Sequence, residues 1–547
     1  MSPKKFAWPA VFVLLALIVG FLIGNFISGK SLARGLFLKT GNKIDVLLDI
    51  INEEYVDTIN MKSLVENAIT KIVDELDPHS GYIPADALGT INDNMDGHFA
   101  GVGINYIFHL DTIVINSIIS GGPAEQAGLL AGDRIIAING ALVAGNHFPE
   151  EKIVEILHGK VGTSVKLGIV REGMASKKEY AITRAYVPLS SVKTAYEISK
   201  GIGIIKIYDA FTNSTYDEFI GAIAKLLNKG CQSFIIDLRM NKGGSFDAAV
   251  HICNEFLPKG RTIVYMEGKS VPREYVTANG SGTLQDKQVV ILMDQISASA
   301  SEIVAGAIQD NDRGLIIGRR SFGKGLVQNQ IELSDGSAVR LTIARYYTPS
   351  GRNIQRKYTM GKTDEYNQEW VDRLSAGEGL YKDSVILNTS QSFHTFSGRE
   401  VYGGGGIMPD IFVPLDTTDI TSYYVQLENK GIFNQYAFEY SDAYRSKLKT
   451  FANSEDMLLY LRKEILLSDV VRFAETKGIK RRTTLINISA NQILNMTCAH
   501  ILQIFFGDEA YFSLILNNDS IVKRAISEIQ KGNDTSQAVA AMKYKND

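Results

Sequence analysis

Between Gly203 and Gln330, short apolar segments alternate with segments of helical periodicity. The apolar segments are GIIKIYD, SFIIDL, QVVILMD and GLIIG, and helical patterns such as FDAAVHICNEFL separate them. Strands that are apolar throughout are typical of a mainly parallel sheet covered by helices. The pattern therefore predicts a layered βα core. AVRLTIARYYTP and GIMPDIFVP are expected to add later strands to the same domain.

The composition limits the remaining possibilities. The chain has 547 residues, of which 45% are hydrophobic and 21% charged, and its formal net charge is −3. This length allows about three domains. The balanced charge argues against a nucleic-acid partner. Its cysteines, Cys231, Cys253 and Cys498, form no CxxC pair, so neither a disulfide framework nor a zinc site is expected.

The N-terminus carries an uncharged apolar stretch, Phe6–Ser28, after Lys4 and Lys5. A membrane-spanning helix needs about 20 such residues, and the preceding lysines favour a cytoplasmic N-terminus. We therefore expect an uncleaved anchor over 6–28, with residues 1–5 in the cytoplasm. The alternative is a cleaved signal peptide, whose apolar region is usually about 7–15 residues long.

Helical periodicity marks two further regions. Residues 42–87 repeat apolar positions at three- and four-residue steps, which predicts an N-terminal helical region. After Asp416 the pattern is again helical and charged, which predicts a C-terminal helical extension over 417–547. No chemical motif is evident in that extension.

A small β-rich domain lies between these regions. Its segment GPAEQAGLLAGDRIIAINGALV, residues 122–143, resembles the PDZ domain, and the resemblance covers residues 88–183. The upstream GVGI, which comprises Gly101, Val102, Gly103 and Ile104, is similar to the carboxylate-binding loop of PDZ domains. Glycines let successive backbone N–H groups point into one concavity that suits an anionic chain end. The bound peptide would then add a strand to the edge of the sheet.

The segment SASASEIVAGAIQD, residues 297–310, permits two interpretations of Ser299. Ser299 and Glu302 match a helix capping box, in which the serine only accepts a backbone hydrogen bond. A serine at a strand-to-helix turn also lies beside free N–H groups that could hold an oxyanion. A nucleophilic serine needs a base. Lys324, in the glycine-rich loop SFGKGLVQ, could approach from the same edge of a parallel sheet, although such a lysine is more often solvated.

These residues together resemble the carboxy-terminal processing (tail-specific) peptidases, which are Ser/Lys endoproteases with an embedded PDZ domain. The resemblance rests on LDPHSGY, IIDLRMNKGG, SASAS and SFGKGLVQ, which follow one another in that order along residues 42–416. It implies an α/β protease core over 186–416, with a ClpP/crotonase-like layered βα sheet. The PDZ domain is inserted between this core and the N-terminal helical region.

The resemblance also implies roles for individual residues. Ser299 would be the nucleophile and Lys324 the general base, and Gln328 would orient the lysine. The oxyanion hole would use the N–H of Ala300 and that of a glycine in NKGG, either Gly243 or Gly244. No cofactor or metal is implied.

Two positions depart from the family pattern. Arg319 and Arg320 stand where a glutamate is common, and they either lower the pKa of Lys324 or face solvent. His158 stands in the PDZ segment LHGKVGT, where an arginine is frequent. A gating mechanism that depends on that arginine is in doubt, unless His158 or Lys160 takes its place.

The predicted function is that of a membrane-anchored endopeptidase in a bacterial inner membrane, with its catalytic domain in the periplasm. Its partners would be proteins with accessible C-terminal tails and the membrane itself, and a homo-oligomer is compatible with the sequence. Cleavage of the signal would instead give a soluble periplasmic protein. Competing functions are an inactive peptide-binding adaptor and an acyl-CoA enzyme of the hydratase type.

Overall fold

A computed structural model describes residues 12–20 and 42–531, except 110, 146, 172, 173, 175, 387 and 388. The chain divides into two compact units, Met1–Val73 and Asp74–Asp547. Helices form the described part of the first unit, and the last of them ends at the boundary between the units. They are α1 (12–20), α2 (Lys43–Glu54) and α3 (Met61–Asp74).

The predicted localisation at the inner membrane is wrong. Within the described ranges, no helix is both long enough and apolar enough to cross a bilayer. Of the predicted anchor Phe6–Ser28, the described residues form α1, and the rest lies outside the described residues.

The second unit begins with a short strand, a helix and a small antiparallel sheet. The sheet has the strand order β3-β4-β5-β7-β8, with β6 on β5, so β3 lies at its edge. Strands β2 and β9 pair with each other in a separate antiparallel two-stranded sheet. The elements are β1 (Gly81–Ile83), α4 (Ala85–Asp96), β2 (His98–Gly101), β3 (Ile104–His109), β4 (Thr112–Ile118), α5 (Pro123–Gln126), β5 (Arg134–Ile138), β6 (Ala141–Leu142), α6 (Glu150–Leu157), β7 (Ser164–Val170), β8 (Lys178–Thr183) and β9 (Ala185–Pro188).

The predicted parallel core follows. Its sheet has the order β10-β11-β13-β17-β18-β23, and every pair is parallel except β10 with β11. The elements of this region are β10 (Val192–Ser199), β11 (Ile202–Ile207), β12 (Asp209–Phe211), α7 (Thr215–Asn228), β13 (Ser233–Asp237), β14 (Asn241–Gly244), α8 (Phe246–Phe256), β15 (Thr262–Glu267), β16 (Glu274–Thr277), β17 (Gln288–Met293), α9 (Ala300–Asp310), β18 (Leu315–Gly318), β19 (Leu326–Glu332), β20 (Ala338–Tyr347), α10 (Thr363–Ser375), a 3₁₀ turn (Lys382–Ser384), β21 (Ser392–His394), β22 (Glu400–Tyr402) and β23 (Ile411–Phe412).

The two late apolar segments have different positions. Strand β23 joins the core sheet beside β18, as predicted. Strand β20 instead pairs with β19, β1 and β15 in a separate antiparallel sheet. A ten-residue strand that alternates polar and apolar side chains suits a sheet with one solvated face, and such sheets are usually antiparallel.

The core sheet is buried on both faces. Ile236 and Ile291 belong to a cluster that includes helices α7, α8 and α9, whereas Ile235 and Leu292 face the other way. The second face is covered by residues of the C-terminal extension, including Val522. The helices of this extension are α11 (Ser422–Asn429), α12 (Ile432–Ala443), α13 (Arg445–Leu448), α14 (Ser454–Glu464), α15 (Leu467–Thr476), α16 (Thr483–Ile488), α17 (Ala490–Leu516, broken at Gly507) and α18 (Ser520–Gln530).

Candidate active site

The three alternate serines have different environments at the turn between β17 and α9. Ser297 is fully buried, and its hydroxyl donates to the carbonyl oxygen of Leu238 at 2.9 Å. Ser301 is also fully buried, and its hydroxyl donates to the carboxamide oxygen of Asn241 at 2.9 Å. Ser299 is partly exposed and has a positive φ of 54°. Of the three, it is Ser299 that lines a cavity.

This cavity has a volume of about 370 Å³, and part of its wall is apolar. Helix α4 contributes Ile91 and Met95 to the wall, and Phe246 and Ile303 come from the core helices. Polar groups of the cavity come from several elements. Lys324, Gln328, Gln330 and Arg340 lie on the antiparallel sheet and the loop before it, and Asn92, Lys242 and Ser299 lie on other segments.

Lys324 lies on the loop between β18 and β19, as predicted. Its Nζ donates to Oε1 of Gln328 at 2.8 Å, and the Gln328 amide nitrogen donates to the carbonyl oxygen of His79. Gln328 is on strand β19. Burial lowers the pKa of Lys324, and the positive charge of Arg340 lowers it further. A buried lysine of this kind is available as a proton acceptor nearer to neutral pH.

The carboxylate of Glu302 connects the serine turn to the lysine loop. Its Oε2 accepts from the backbone N–H of Ser299 at 2.8 Å and from that of Lys324 at 2.9 Å. Its Oε1 accepts from the hydroxyl of Ser321 at 2.5 Å and from the N–H of Gly323 at 2.8 Å. Burial raises the pKa of Glu302, and these donors oppose that shift. One carboxylate therefore fixes the main chains of both residues.

The hydroxyl of Tyr346 makes a second connection between the same two segments. It lies 3.1 Å from the carbonyl oxygen of Ser299 and 2.7 Å from that of Lys324. Tyr346 is 1% exposed, and burial raises the pKa of its phenol well above the usual value. The hydroxyl thus remains protonated and acts as a donor at neutral pH.

The DPHSGY segment contacts the lysine indirectly, because its His79 carbonyl oxygen binds Gln328, which accepts from Lys324. Asp77 accepts from the hydroxyl of Ser80 at 2.6 Å and from the N–H of His79 at 2.9 Å, which fixes the turn. The His79 ring contacts the hydroxyl of Tyr366 at 3.1 Å. Burial, together with the nearby Lys324 charge, lowers the pKa of His79 to about 4. His79 is therefore neutral at pH 7, and its carbonyl oxygen holds Gln328.

The NKGG strand passes directly beside the serine. Gly243 has a φ of 97°, and a Cβ on it would lie 2.6 Å from Cβ of Ser299, so only glycine fits this approach. The N–H of Gly243 donates to Oδ1 of Asn241 at 2.9 Å. Gly244 lines the cavity. Ala300, the first residue of α9, also lines it, and its N–H makes no hydrogen bond to a residue that the structure describes.

The GVGI loop joins β2 to the edge strand β3. The carbonyl oxygens of Val102 and Gly103 accept from Ala124 and Ile119, at 2.8 and 3.0 Å. Within the described part of the chain, the N–H groups of Val102 and Gly103 make no hydrogen bond. The side chains of Val102 and Ile104 are buried in the domain core. Only the main chain of the loop is thus available to a ligand.

Three residues depart from the family pattern, namely Arg319, Arg320 and His158. Arg319 and Arg320 are buried, which excludes the expectation that they face solvent. Arg319 Nε donates to Gln295 at 2.9 Å, and Arg320 lies 3.3 Å from Glu378. Arg340, and not these two, supplies the positive charge that lowers the pKa of Lys324. The ring of His158 stacks on Phe99 with a centroid distance of 4.9 Å, beside the GVGI loop.

The sequence interpretation missed several residues of this site. Glu302 was visible only as a cap, and His79 only as part of a motif. Tyr346, Arg340 and helix α4 carried no local signal, because they reach the cavity through long-range pairing of β20 and packing of α4.

Models of protein families match three parts of this chain. The model for peptidase family S41 matches residues 201–367, the PDZ domain model matches 114–171, and a family of unknown function (DUF8443) matches 423–507. A carboxy-terminal-processing protease of Bartonella bacilliformis is 34% identical over 351 residues, covering 62% of this chain and 80% of that protein.

A probable CtpA-like serine protease of Staphylococcus haemolyticus is 35% identical over 317 residues. The match covers 58% of this chain and 62% of that relative. Among solved structures, a photosystem II D1 C-terminal processing protease is 24% identical. The alignment covers 69% of this chain and 88% of that one, with a TM-score of 0.36.

The chain is therefore a serine-type peptidase with a PDZ domain and a helical C-terminal region. More particularly, it belongs to the carboxy-terminal-processing proteases of peptidase family S41. Membership of this family supports a peptidase over the interpretations as an inactive adaptor and as an acyl-CoA enzyme. The finer description of the core as ClpP/crotonase-like, and the boundaries of the domains, stay predictions.

Proposed function

We propose that Ser299 is the nucleophile and Lys324 the general base of an endopeptidase that binds the C-terminal tails of protein substrates and cleaves them. One observation carries this proposal. The same carboxylate oxygen of Glu302 accepts from the N–H groups of both residues, and the Tyr346 hydroxyl contacts both carbonyl oxygens. A nucleophile and a base that share two fixed partners in one cavity are positioned before the substrate arrives.

The reaction follows from this geometry. Neutral Lys324 takes the proton of the Ser299 hydroxyl as Oγ bonds to the carbonyl carbon of the scissile peptide. When the tetrahedral intermediate collapses, the C–N bond breaks and Lys324 returns the proton to the leaving amine. Water then hydrolyses the acyl-enzyme by the same proton transfers. Gln328 accepts from the lysine Nζ at 2.8 Å and so directs it during both steps.

The oxyanion of the intermediate needs two donors. The N–H of Ala300 is the first, since Ala300 is the first residue of helix α9 and lines the cavity. For the second we favour Gly244 over Gly243, because the N–H of Gly243 already donates to Asn241 at 2.9 Å. Gly243 then serves to let the NKGG strand approach Ser299 closely. One oxyanion donor typically contributes about 3 kcal/mol to the transition state.

The tail of the substrate would bind at the PDZ domain. The N–H groups of Val102 and Gly103, with those of Gly101 and Ile104 at the strand ends, suit a terminal α-carboxylate. Strand β3 is at the edge of its sheet, so the tail can add to it as a further strand.

The proposal is tested by measuring how variants with one substitution each cleave an unfolded protein. We expect Ser299→Ala and Lys324→Ala to abolish cleavage with the fold intact, because they remove the nucleophile and the base. The controls are Ser297→Ala and Ser301→Ala, whose hydroxyls make buried structural hydrogen bonds. They should keep substantial activity. If Ser301→Ala loses activity and Ser299→Ala keeps normal activity, the assignment of the nucleophile is contradicted.

A further inference from the structure

Arg340 is a cation of the cavity whose charge has no carboxylate partner. It is partly buried on strand β20, and its Nη2 donates to the neutral amide oxygen of Gln330 at 3.2 Å. It forms no ion pair with any residue that the structure describes. Taking a guanidinium partly out of water without a counter-charge is unfavourable. A group of this kind in a substrate cavity is suited to binding an anion.

The other cations that line the cavity are already engaged. Lys242 lies 3.2 Å from Asp209 and is largely exposed. Lys324 donates to Gln328 at 2.8 Å, and the proposed function assigns it the role of base. Arg340 is held in place by a chain of neutral groups, since the amide nitrogen of Gln330 donates to Asn92 of α4 at 2.9 Å. Its orientation towards the cavity therefore does not depend on a substrate.

Strand register fixes how far Arg340 lies from Gln328, the residue that accepts from Lys324. In the β19–β20 ladder, Gln328 is opposite Thr342 and Gln330 is opposite Arg340. Directly opposed residues, and residues two apart on one strand, share a face of the sheet. Arg340 is thus on the same face as Gln328, about 7 Å further along the strand. An extended peptide covers that distance in about two residues.

We propose that Arg340 binds a carboxylate of the substrate about two residues from the scissile bond, so that the enzyme favours an acidic side chain or a chain terminus there. This inference rests on the proposed function, because it takes Ser299 as the point of cleavage. The bidentate geometry of guanidinium and carboxylate makes the preference one for a carboxylate over a neutral amide of the same shape.

The test compares peptides with a common C-terminal tail that differ at one residue, Glu or Gln, two positions before or two positions after the cleaved bond. A third pair ends two residues after that bond, with a free or an amidated terminus. We expect the full-length enzyme to favour the carboxylate member of at least one pair about tenfold in kcat/KM. In Arg340→Gln the ratio should fall to about one, and in Arg340→Lys it should be intermediate.

The matched control is Arg345→Gln, on the same strand but exposed and outside the cavity. It should keep the ratio of the unmodified enzyme. The inference is overturned if the unmodified enzyme has no preference for a carboxylate, or if Arg340→Gln keeps that preference. Which pair responds distinguishes a side chain from a chain terminus.

Measuring peptide affinity distinguishes a failure of this inference from a failure of the proposed function. The affinity of each peptide is measured for Ser299→Ala and for Ser299→Ala with Arg340→Gln. If the Ser299→Ala enzyme still cleaves the peptides, the proposed function fails, and the affinity ratio decides the role of Arg340. If Arg340→Gln does not fold, the ratio found for Arg340→Lys decides, and a ratio equal to that of the unmodified enzyme overturns the inference.

Discussion

At the residue scale, Glu302 accepts four hydrogen bonds in a fully buried position, from Ser299, Ser321, Gly323 and Lys324. These donors belong to two segments, the serine turn and the lysine loop. One buried side chain thus fixes both segments, in addition to the contacts of the Tyr346 hydroxyl with both. The capping box of α9 thus has a second use, since its glutamate, Glu302, also holds the loop before β19.

We predict that Glu302→Ala lowers the free energy of unfolding by about 3 kcal/mol, because it leaves several buried donors without an acceptor. It should also lower kcat by loosening both loops. Chemical denaturation and peptide cleavage measure the two effects. Glu365→Ala is the control, since Glu365 is an exposed glutamate in the first turn of α10, where a change of at most about 0.5 kcal/mol is expected. Equal stability of the two variants would contradict this account.

A second prediction at this scale concerns pH. Lys324 must be neutral to accept a proton, so kcat rises with pH through its pKa. Burial and the Arg340 charge lower that pKa, whereas Asp77 and Glu302 raise it. Arg340→Gln removes a positive charge, which raises the pKa of Lys324 and moves the rise in kcat to higher pH. The pH profile of kcat checks this, with Arg345→Gln as control. A profile that does not move, or moves to lower pH, would exclude the electrostatic role of Arg340.

At the scale of elements, helix α18 packs on the core sheet. Its Ile521 and Val522 pack against the face of the core sheet opposite to α7, α8 and α9. Asp519, which caps the helix, accepts from Arg239 at 2.7 Å, and Arg239 also pairs with Asp237 at the end of β13. The NKGG strand begins two residues after Arg239. The extension thereby contacts the segment that leads to the proposed oxyanion hole.

We predict that Ile521→Ala lowers the free energy of unfolding of the protease core by about 2–4 kcal/mol, because Ile521 is 4% exposed and its removal leaves a cavity against the sheet. Lys523→Ala, at an exposed position of the same helix, should change it by at most about 0.5 kcal/mol. Denaturant titration followed by activity measures both. If Ile521→Ala leaves the core as stable as Lys523→Ala does, α18 does not stabilise it.

At the scale of the whole molecule, the PDZ domain and the protease core should act on one substrate. We predict that amidation of a peptide tail weakens its binding to full-length Ser299→Ala about five- to two-hundredfold, because the amide does not match the N–H groups of Val102 and Gly103. Cleavage of a tailed substrate by the active enzyme should fall similarly. Equal affinity and equal cleavage of free and amidated tails would remove terminal-carboxylate recognition.

The sequence allowed the parallel core sheet to be predicted, because its strands are apolar throughout. It also pointed to the cavity residues Ser299, Lys324 and Gln328, which lie in specific local motifs. It did not predict the contacts that assemble the site over long separations. Tyr346 and Arg340 reach it through the register of β19 and β20, and the membership of β20 in a second sheet was not foreseen.

The contacts of the C-terminal extension were likewise not predictable from the sequence. Its helices were predicted from periodicity, but no motif indicates which face of which sheet they cover. The pairing of Arg239 with Asp519 joins residues 280 positions apart. Only the folded chain brings these two charges together.

The central claim is that Ser299 becomes acylated with Lys324 as its base. The most direct measurement is intact-mass spectrometry of the enzyme after acid quenching during turnover of an activated peptide ester, followed by mapping of the modified peptide. We predict a mass increase equal to the acyl group, located at Ser299, and its absence in Ser299→Ala. In Lys324→Ala the adduct should form much more slowly at neutral pH. An adduct at Ser301 or Ser297, or equal acylation with and without Lys324, would contradict the account.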